Sequence, residues 1–129
     1  KKYKQGKLTP DEIQAKMEEL IKKYNIQVKY EGHLRGGNIR NAIVIWDEAQ
    51  NNSISSAKTI LTRVGENSKV IVLGSNRQID SKYLNKFNNA LTYLVNRIGK
   101  DNMNVNVTGY TLEKTVRSNI AEWADTFKG

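Results

Sequence analysis

Ala42-Ile43-Val44-Ile45-Trp46-Asp47-Glu48-Ala49-Gln50-Asn51 changes character halfway along. Five apolar residues without a polar break suit a strand covered on both faces, as in a parallel sheet. The run stops abruptly at two acids. Adjacent carboxylates at the end of a buried strand are what Mg-nucleotide chemistry uses: the first can hold the metal or its waters, and the second can orient or deprotonate an attacking water. The plain alternative is a pair of solvated acids at the start of a loop; the apolar run before them and Gln50 just after them favour the chemical reading.

Working outward, the strand sits in an alternation of elements. Thr9-Pro10-Asp11-Glu12 is a helix start, with Thr9 as cap, Pro10 at the first helical position and Glu12 able to close a capping box. Ile13, Met17, Leu20, Ile21 and Tyr24 recur at helical spacing, which predicts a helix over residues 10–24. Ile26 to Tyr30 alternates and reads as a short strand. Beyond Trp46, Ile54, Ala57, Ile60, Leu61 and Val64 mark a helix that Gly65 can terminate. Val70 to Leu73 reads as a second buried strand, stopped by Gly74. Leu91, Leu94, Val95 and Ile98 predict another helix, Val105 and Val107 a weaker strand, and residues 112–127 a last helical stretch. Core packing is the expectation for both Trp46 and Trp123. The alternation implies an α/β fold, a three-layer α/β/α arrangement with a mostly parallel sheet. In such sheets the ligand crevice lies beyond the carboxyl ends of the strands, which places Asp47-Glu48, Gly74 to Asp80 and the segment around Arg117 along one edge.

Composition narrows the classes. The chain of 129 residues fits one domain, and 21 Lys+Arg against 13 Asp+Glu leave a net charge of +8. Such a balance favours polyanions, so nucleic acid is a candidate partner; Lys1, Lys2, Lys4 and Lys7 form the dense cluster, with Tyr3 beside them, and a solvated lysine-rich flank is the bland explanation. The absence of cysteine excludes a disulfide framework, a thiolate metal site and a cysteine nucleophile. His33 is the lone histidine, which excludes a His-based metal site. The apolar runs fall far short of the roughly 20 residues of a membrane-spanning helix, and no cleavable signal is visible. A cytoplasmic, basic α/β chain is the expectation. Because it starts at Lys, it reads as a piece of something longer.

Two more segments bear on chemistry. Gly74-Ser75-Asn76-Arg77-Gln78-Ile79-Asp80 is a polar loop at the second strand's end that can sense a γ-phosphate, although a Gly-Ser-Asn run is also an ordinary turn. Val116-Arg117-Ser118 offers a cation able to stabilise charge on a phosphate. Taken with Ile43 to Asn51, these resemble a family. Ile43 to Asn51 is similar to the Walker B or DEAQ motif of superfamily-one helicases and of PhoH-like P-loop ATPases. Leu61-Thr62-Arg63-Val64-Gly65 with Ser68-Lys69, Gly74 to Asp80 against a GDxxQID segment, Leu34-Arg35-Gly36-Gly37-Asn38-Ile39 against an RGR loop, and Leu91-Thr92-Tyr93-Leu94-Val95 all resemble the PhoH-like pattern. The flavour is that of PhoH domains fused to PIN nuclease domains, and the resemblance runs from about Gly32 to the C-terminus.

The resemblance implies a P-loop NTPase-like domain incomplete on its N-terminal side, with residues 1–31 a helix and strand leading in and 32–129 carrying the motifs. It implies ATP and Mg²⁺ as ligands, Asp47 on the metal (with Asp80 as a second candidate), Glu48 activating water, Gln50 and Gln78 sensing the γ-phosphate, and Arg117 contacting it, across a subunit interface in one arrangement. Gly74 would lie against the nucleotide, and Arg35 and Arg63 beside it or beside an RNA strand. Arg63 has an alternative role as a cation favoured by a helix C-terminus. RNA handling and a hexameric ring are implied for the intact protein.

The chain departs from the pattern in two places. No G-x-x-x-x-G-K-[ST] loop is present, so the phosphates lack a backbone cradle and this chain alone is expected to hydrolyse ATP poorly or not at all. Ser75 stands where the family usually has Asp. The competing readings are a basic nucleic-acid-binding module with a degenerate, non-hydrolysing nucleotide site, and a purely structural assembly piece.

Overall fold

α1, Pro10–Lys23, forms as its capping signature demands: the Glu12 N–H donates to Thr9 Oγ1 at 3.3 Å, and the Thr9 N–H donates to Glu12 Oε2 at 2.8 Å. It ends because Asn25 turns left-handed, with φ 51°. The Asn25 N–H then reaches the Lys22 carbonyl and the Ile26 N–H reaches that of Ile21, the paired bonds of a Schellman stop. Ile26 is thereby part of the helix's termination, and the segment expected as a strand over 26–30 is irregular, leading to a 3-10 turn at Glu31–Leu34. Alternation alone was not enough: no neighbouring strand offers that backbone a ladder among the described residues, and Val28 stays 86% exposed.

The structure is a computed structural model that describes residues 6–34, 37–113 and 116–128. Arg35, Lys1, Lys2, Tyr3 and Lys4 lie outside the described residues. No helix among those described is long and apolar enough to cross a membrane.

The strands are β1, Ile43–Trp46, and β2, Lys69–Val72, joined by α2, Ile54–Leu61. They pair in a two-stranded parallel sheet, as a strand–helix–strand connection requires. After β2 come α3, Ala90–Val95, and α4, Asn119–Ala124. The result is the mixed α/β class expected, realised among the described residues as two strands and four α-helices. Val105 and Val107 do not extend the sheet. Met103 and Asn104 both take positive φ, 53° and 68°, and the Val105 N–H closes a turn onto Asn102, so the backbone bends where extension was expected. α4 is shorter than the stretch expected over 112–127, and Trp123 is 64% exposed, set edge-on to Phe127 at 4.7 Å rather than in a core.

The chain forms two compact units, one taking in residues up to Val44 together with Ser55–Val70, the other Ile45–Ile54 together with residues from Ile71 on. In the first, Ile39 pairs with Val64 as an isolated parallel bridge, the Ile39 N–H donating to the Arg63 carbonyl at 2.8 Å and the Gly65 N–H to that of Ile39 at 2.6 Å. This explains Gly65 better than helix termination does. A Cβ there would stand 2.9 Å from Arg40 Cγ and 3.1 Å from the Ile39 carbonyl oxygen; the glycine permits the close approach. Among the described residues of this unit, Ala57 and Ile60 are the buried apolar ones. In the second unit Trp46, Ala49 and Ala90 are buried, and so are two neutral amides, Gln50 and Asn89.

Candidate nucleotide edge

β1 ends at Trp46, whose ring is buried and whose Nε1–H donates to Asn52 Oδ1 at 3.1 Å. The chain must then turn sharply, and it does so at Glu48, which adopts the left-handed region with φ 56° and ψ 36°. That conformation is unusual for a residue with a long side chain. The Asp47 carboxylate supports the turn by accepting the Glu48 N–H at 2.9 Å. A 3-10 turn, Ala49–Asn51, comes immediately after. Asp47 and Glu48 are exposed, whereas Ala49 and Gln50 are fully enclosed.

Gln50 ties this turn to the loop after β2. Its Nε2 donates to Glu48 Oε2 at 2.6 Å and to the Gln78 carbonyl at 3.0 Å, and its Oε1 accepts the Ser75 N–H at 3.1 Å. A buried amide leaves no room for an unmet donor, and here both ends are used. One side chain therefore holds the Glu48 carboxylate and both halves of the loop. Asn51 adds a further tie, its Oδ1 accepting the Asp80 N–H at 2.8 Å. The Ala49 N–H donates to the Leu73 carbonyl at 3.0 Å and the Leu73 N–H to that of Trp46 at 2.8 Å, so the parallel ladder continues past the strand ends into the site. Gly74 is fitted to this arrangement: a Cβ would lie 2.4 Å from Gln50 Oε1 and 3.1 Å from Leu91 Cδ2.

Asp47, Glu48, Gln50, Gly74 and Gln78 are thus brought together at the carboxyl ends of the two strands, where such sheets bind ligands. The placement of Gln50 refines its expected part. Its amide is committed to protein partners, so it braces Glu48 and the loop, while Gln78 is exposed in that loop. Asp80 is exposed and anchored through its backbone. Ser75 Oγ accepts the Arg77 N–H at 3.3 Å, the local turn bond an Asp carboxylate would also make, so an uncharged serine supports this turn. Arg117 precedes α4, whose cap is Ser118, and its guanidinium is engaged by Asp125 at 2.6 Å. Arg63 belongs to the other compact unit; its Nε is enclosed with no hydrogen-bond partner among the described residues. Arg35 lies outside the described residues.

Sequence reasoning missed Asn51, Asn76 and Asn89. Asn89 precedes Ala90 and caps α3 by accepting the Thr92 N–H at 2.9 Å, a position that an Asn directly before an apolar helical run does signal. It also missed Tyr83 and Phe87, 91% and 75% exposed, with Lys82 and Lys86 beside them and Lys86 Nζ 5.0 Å from the Phe87 ring centre.

Parallel strands with an acid pair after the first and a glycine-started polar loop after the second are consistent with part of a P-loop NTPase-like α/β domain. Within that class the chain belongs to the PhoH family: the family described as PhoH-like protein matches residues 7–127. The chain is 41% identical over 100 residues to Protein PhoH2 of Bacillus subtilis (strain 168), covering 78% of this chain and 22% of that protein. It is 42% identical over 65 residues to a PhoH-like protein of Synechocystis, covering 50% of this chain and 20% of that one. Against Protein PhoH of Escherichia coli K12 it is 50% identical over 48 residues, 37% of this chain and 14% of that protein. The matched part spans about a fifth of the length of the first two of these relatives.

Proposed function

We propose that this chain carries the acidic, γ-phosphate-facing edge of an ATP-hydrolysing site whose work is coupled to RNA. The observation that carries the reading is Gln50, which ties the Glu48 carboxylate to the loop 74–80 with a fully buried amide. An evolved brace of this kind makes sense where the position of one carboxylate relative to one loop matters. Asp47 presents an exposed carboxylate with Oδ1 on the Glu48 N–H. Hard oxygen donors suit Mg²⁺, which takes one or two carboxylates and completes its shell with phosphate and water. Among the described residues no three His, Cys, Asp or Glu gather around one point; a Mg-nucleotide site does not call for such a cluster. Bound there, the ion would neutralise charge on the phosphates.

The chain's own residues then divide the work. Asp47 holds the metal or its waters. Glu48 accepts a proton from water as the water oxygen attacks the γ-phosphorus and the bond to the ADP oxygen breaks. Gln78, on the loop fixed by Gln50, reads whether the γ-phosphate is present. Arg117 contacts the phosphate after exchanging Asp125 for it, in a neighbouring copy of a ring. The RNA part of the reading rests on the +8 charge and on Lys82, Tyr83, Lys86 and Phe87, since exposed aromatics beside cations stack bases and neutralise phosphates.

The test is paramagnetic broadening by Mn-ATP in amide spectra. The reading expects selective loss of the Glu48, Gln50 and 75–80 signals, and no such pattern with Asp47→Ala. Broadening elsewhere, or none, refutes it. The +8 charge favours a second reading, a nucleic-acid-binding module without hydrolysis; salt-sensitive RNA binding indifferent to ATP is its signature.

A further inference from the structure

Asn89 has more hydrogen-bonding than a helix cap uses. A cap needs one acceptor, and Asn89 Oδ1 supplies it to the Thr92 N–H. Its Nδ2, inside a fully buried residue, donates at 2.8 Å to Asn76 Oδ1 and at 2.8 Å to the Asn85 carbonyl. Asn76 answers in the other direction, its Nδ2 donating to Thr92 Oγ1 at 2.9 Å, and that hydroxyl donates on to the Lys86 carbonyl at 2.7 Å. Asn76 lies in the loop 74–80 and is itself exposed, so burial does not force this pairing. The loop is therefore held on two sides: by Gln50 and Asn51 from the turn after β1, and by Asn76 against the first turn of α3. Gln50, Asn51, Asn76 and Asn89 are neutral amides, as the Thr92 hydroxyl is neutral, so none brings a charge to compete with a phosphate.

We propose that Asn76 and Asn89 are positioning residues, a clamp that sets where the loop bearing Gln78 stands. The clamp's consequence for nucleotide rests on the function proposed above; the clamp itself does not. Asn89→Asp separates the two jobs of that side chain, because a carboxylate still accepts the Thr92 N–H but cannot donate to Asn76 or Asn85. Asn76→Ala removes the link at an exposed site without touching the cap.

The experiment is amide hydrogen exchange, residue by residue, on the whole chain with Asn76→Ala, Asn89→Asp and the double variant. The Gln78 and Asp80 amides, bonded to the Ser75 carbonyl and Asn51 Oδ1, should exchange roughly fivefold faster in each single variant, the factor a lost hydrogen bond gives. Tyr93 and Asn96, inside and just after α3, should stay within about twofold. The double variant should fall short of the sum of the two, because both changes break the Asn89–Asn76 bond, while only Asn76→Ala also loses Thr92 Oγ1 and only Asn89→Asp the Asn85 carbonyl. Unchanged Gln78 and Asp80 in Asn76→Ala, acceleration of equal size in α3, or additive effects would overturn the clamp. If Asn89→Asp fails to fold, Asn76→Ala decides alone. Mg-ATP titrated into the same proteins separates the two claims: no binding by the unmodified chain defeats the nucleotide reading while exchange still judges the clamp, and binding that Asn76→Ala leaves unweakened shows that the clamp does not serve the site.

Discussion

Gly74→Ala places a methyl carbon 2.4 Å from an oxygen that cannot easily leave, because Gln50 Oε1 is buried and holds the Ser75 N–H. The substitution should lower stability by about 1–3 kcal/mol in denaturant titration, the usual cost of overpacking. Gly65→Ala should cost somewhat less, since its closest contact, Arg40 Cγ, is 2.9 Å away rather than 2.4 Å, but the Ile39 backbone oxygen at 3.1 Å cannot swing aside. Gln50→Ala strips three hydrogen bonds at once and should cost about 2–4 kcal/mol, mostly through buried groups left unmet. Glu48→Gln is the contrasting case: its oxygen still accepts from Gln50, so stability should change by no more than about 1 kcal/mol, while the proposed proton acceptor is gone. A large loss of stability in Glu48→Gln would mean that the carboxylate serves the fold rather than chemistry. The residue types of this site were legible in the sequence, but the division of labour was not. Gln50 finds its loop partners 25 and 28 positions away, and no local pattern shows that an amide near an acid pair is enclosed. Asn76 and Asn89 were hidden for a related reason, since asparagines in a polar run read as turn formers whatever they touch.

At the scale of elements, α1 offers the cleanest tests. Thr9→Ala removes the side-chain half of the capping box and should cost about 1 kcal/mol, seen as lost helicity by circular dichroism. Asn25→Gly should leave α1 intact or slightly steadier, because glycine carries no Cβ penalty at φ 51°, whereas Asn25→Val should fray its end by about 1 kcal/mol. Both signs are read in one thermal melt, and the opposite order would contradict the Schellman stop. The burial expected of the strands does not hold, since Ile43 and Ile45 are 69% and 65% exposed and Ile71 and Leu73 are exposed too. Even so, α1, α2, α3 and both strands form within a few residues of where apolar spacing and caps put them, because each is decided locally. Ile26–Tyr30 failed that rule. Its alternation is a property of the segment, but a strand is a property of a pair, and among the described residues nothing pairs with it. Met103 and Asn104 ended the third expected strand through a backbone conformation that composition signals weakly, one of the two being a methionine.

For the molecule as a whole, a charge of +8 and the Lys82–Phe87 surface predict RNA binding that falls steeply with salt. Tyr83→Ala and Phe87→Ala should each weaken single-stranded RNA binding by about five- to tenfold in fluorescence anisotropy, the lower range for a lost stacking partner, with the salt slope unchanged. Equal affinity in both variants would place RNA elsewhere. The α/β class was legible from the order of elements, and the family from motif spacing; the division into two compact units was not, because each unit joins segments far apart in the chain. The central claim, that Asp47-Glu48 forms a Mg-nucleotide edge, is tested most directly by calorimetry of Mg-ATP binding to the chain and to Asp47→Ala. Mg²⁺-dependent heat is predicted for the unmodified chain, and its loss in the variant. Equal binding by both, or binding that needs no Mg²⁺, would contradict the claim.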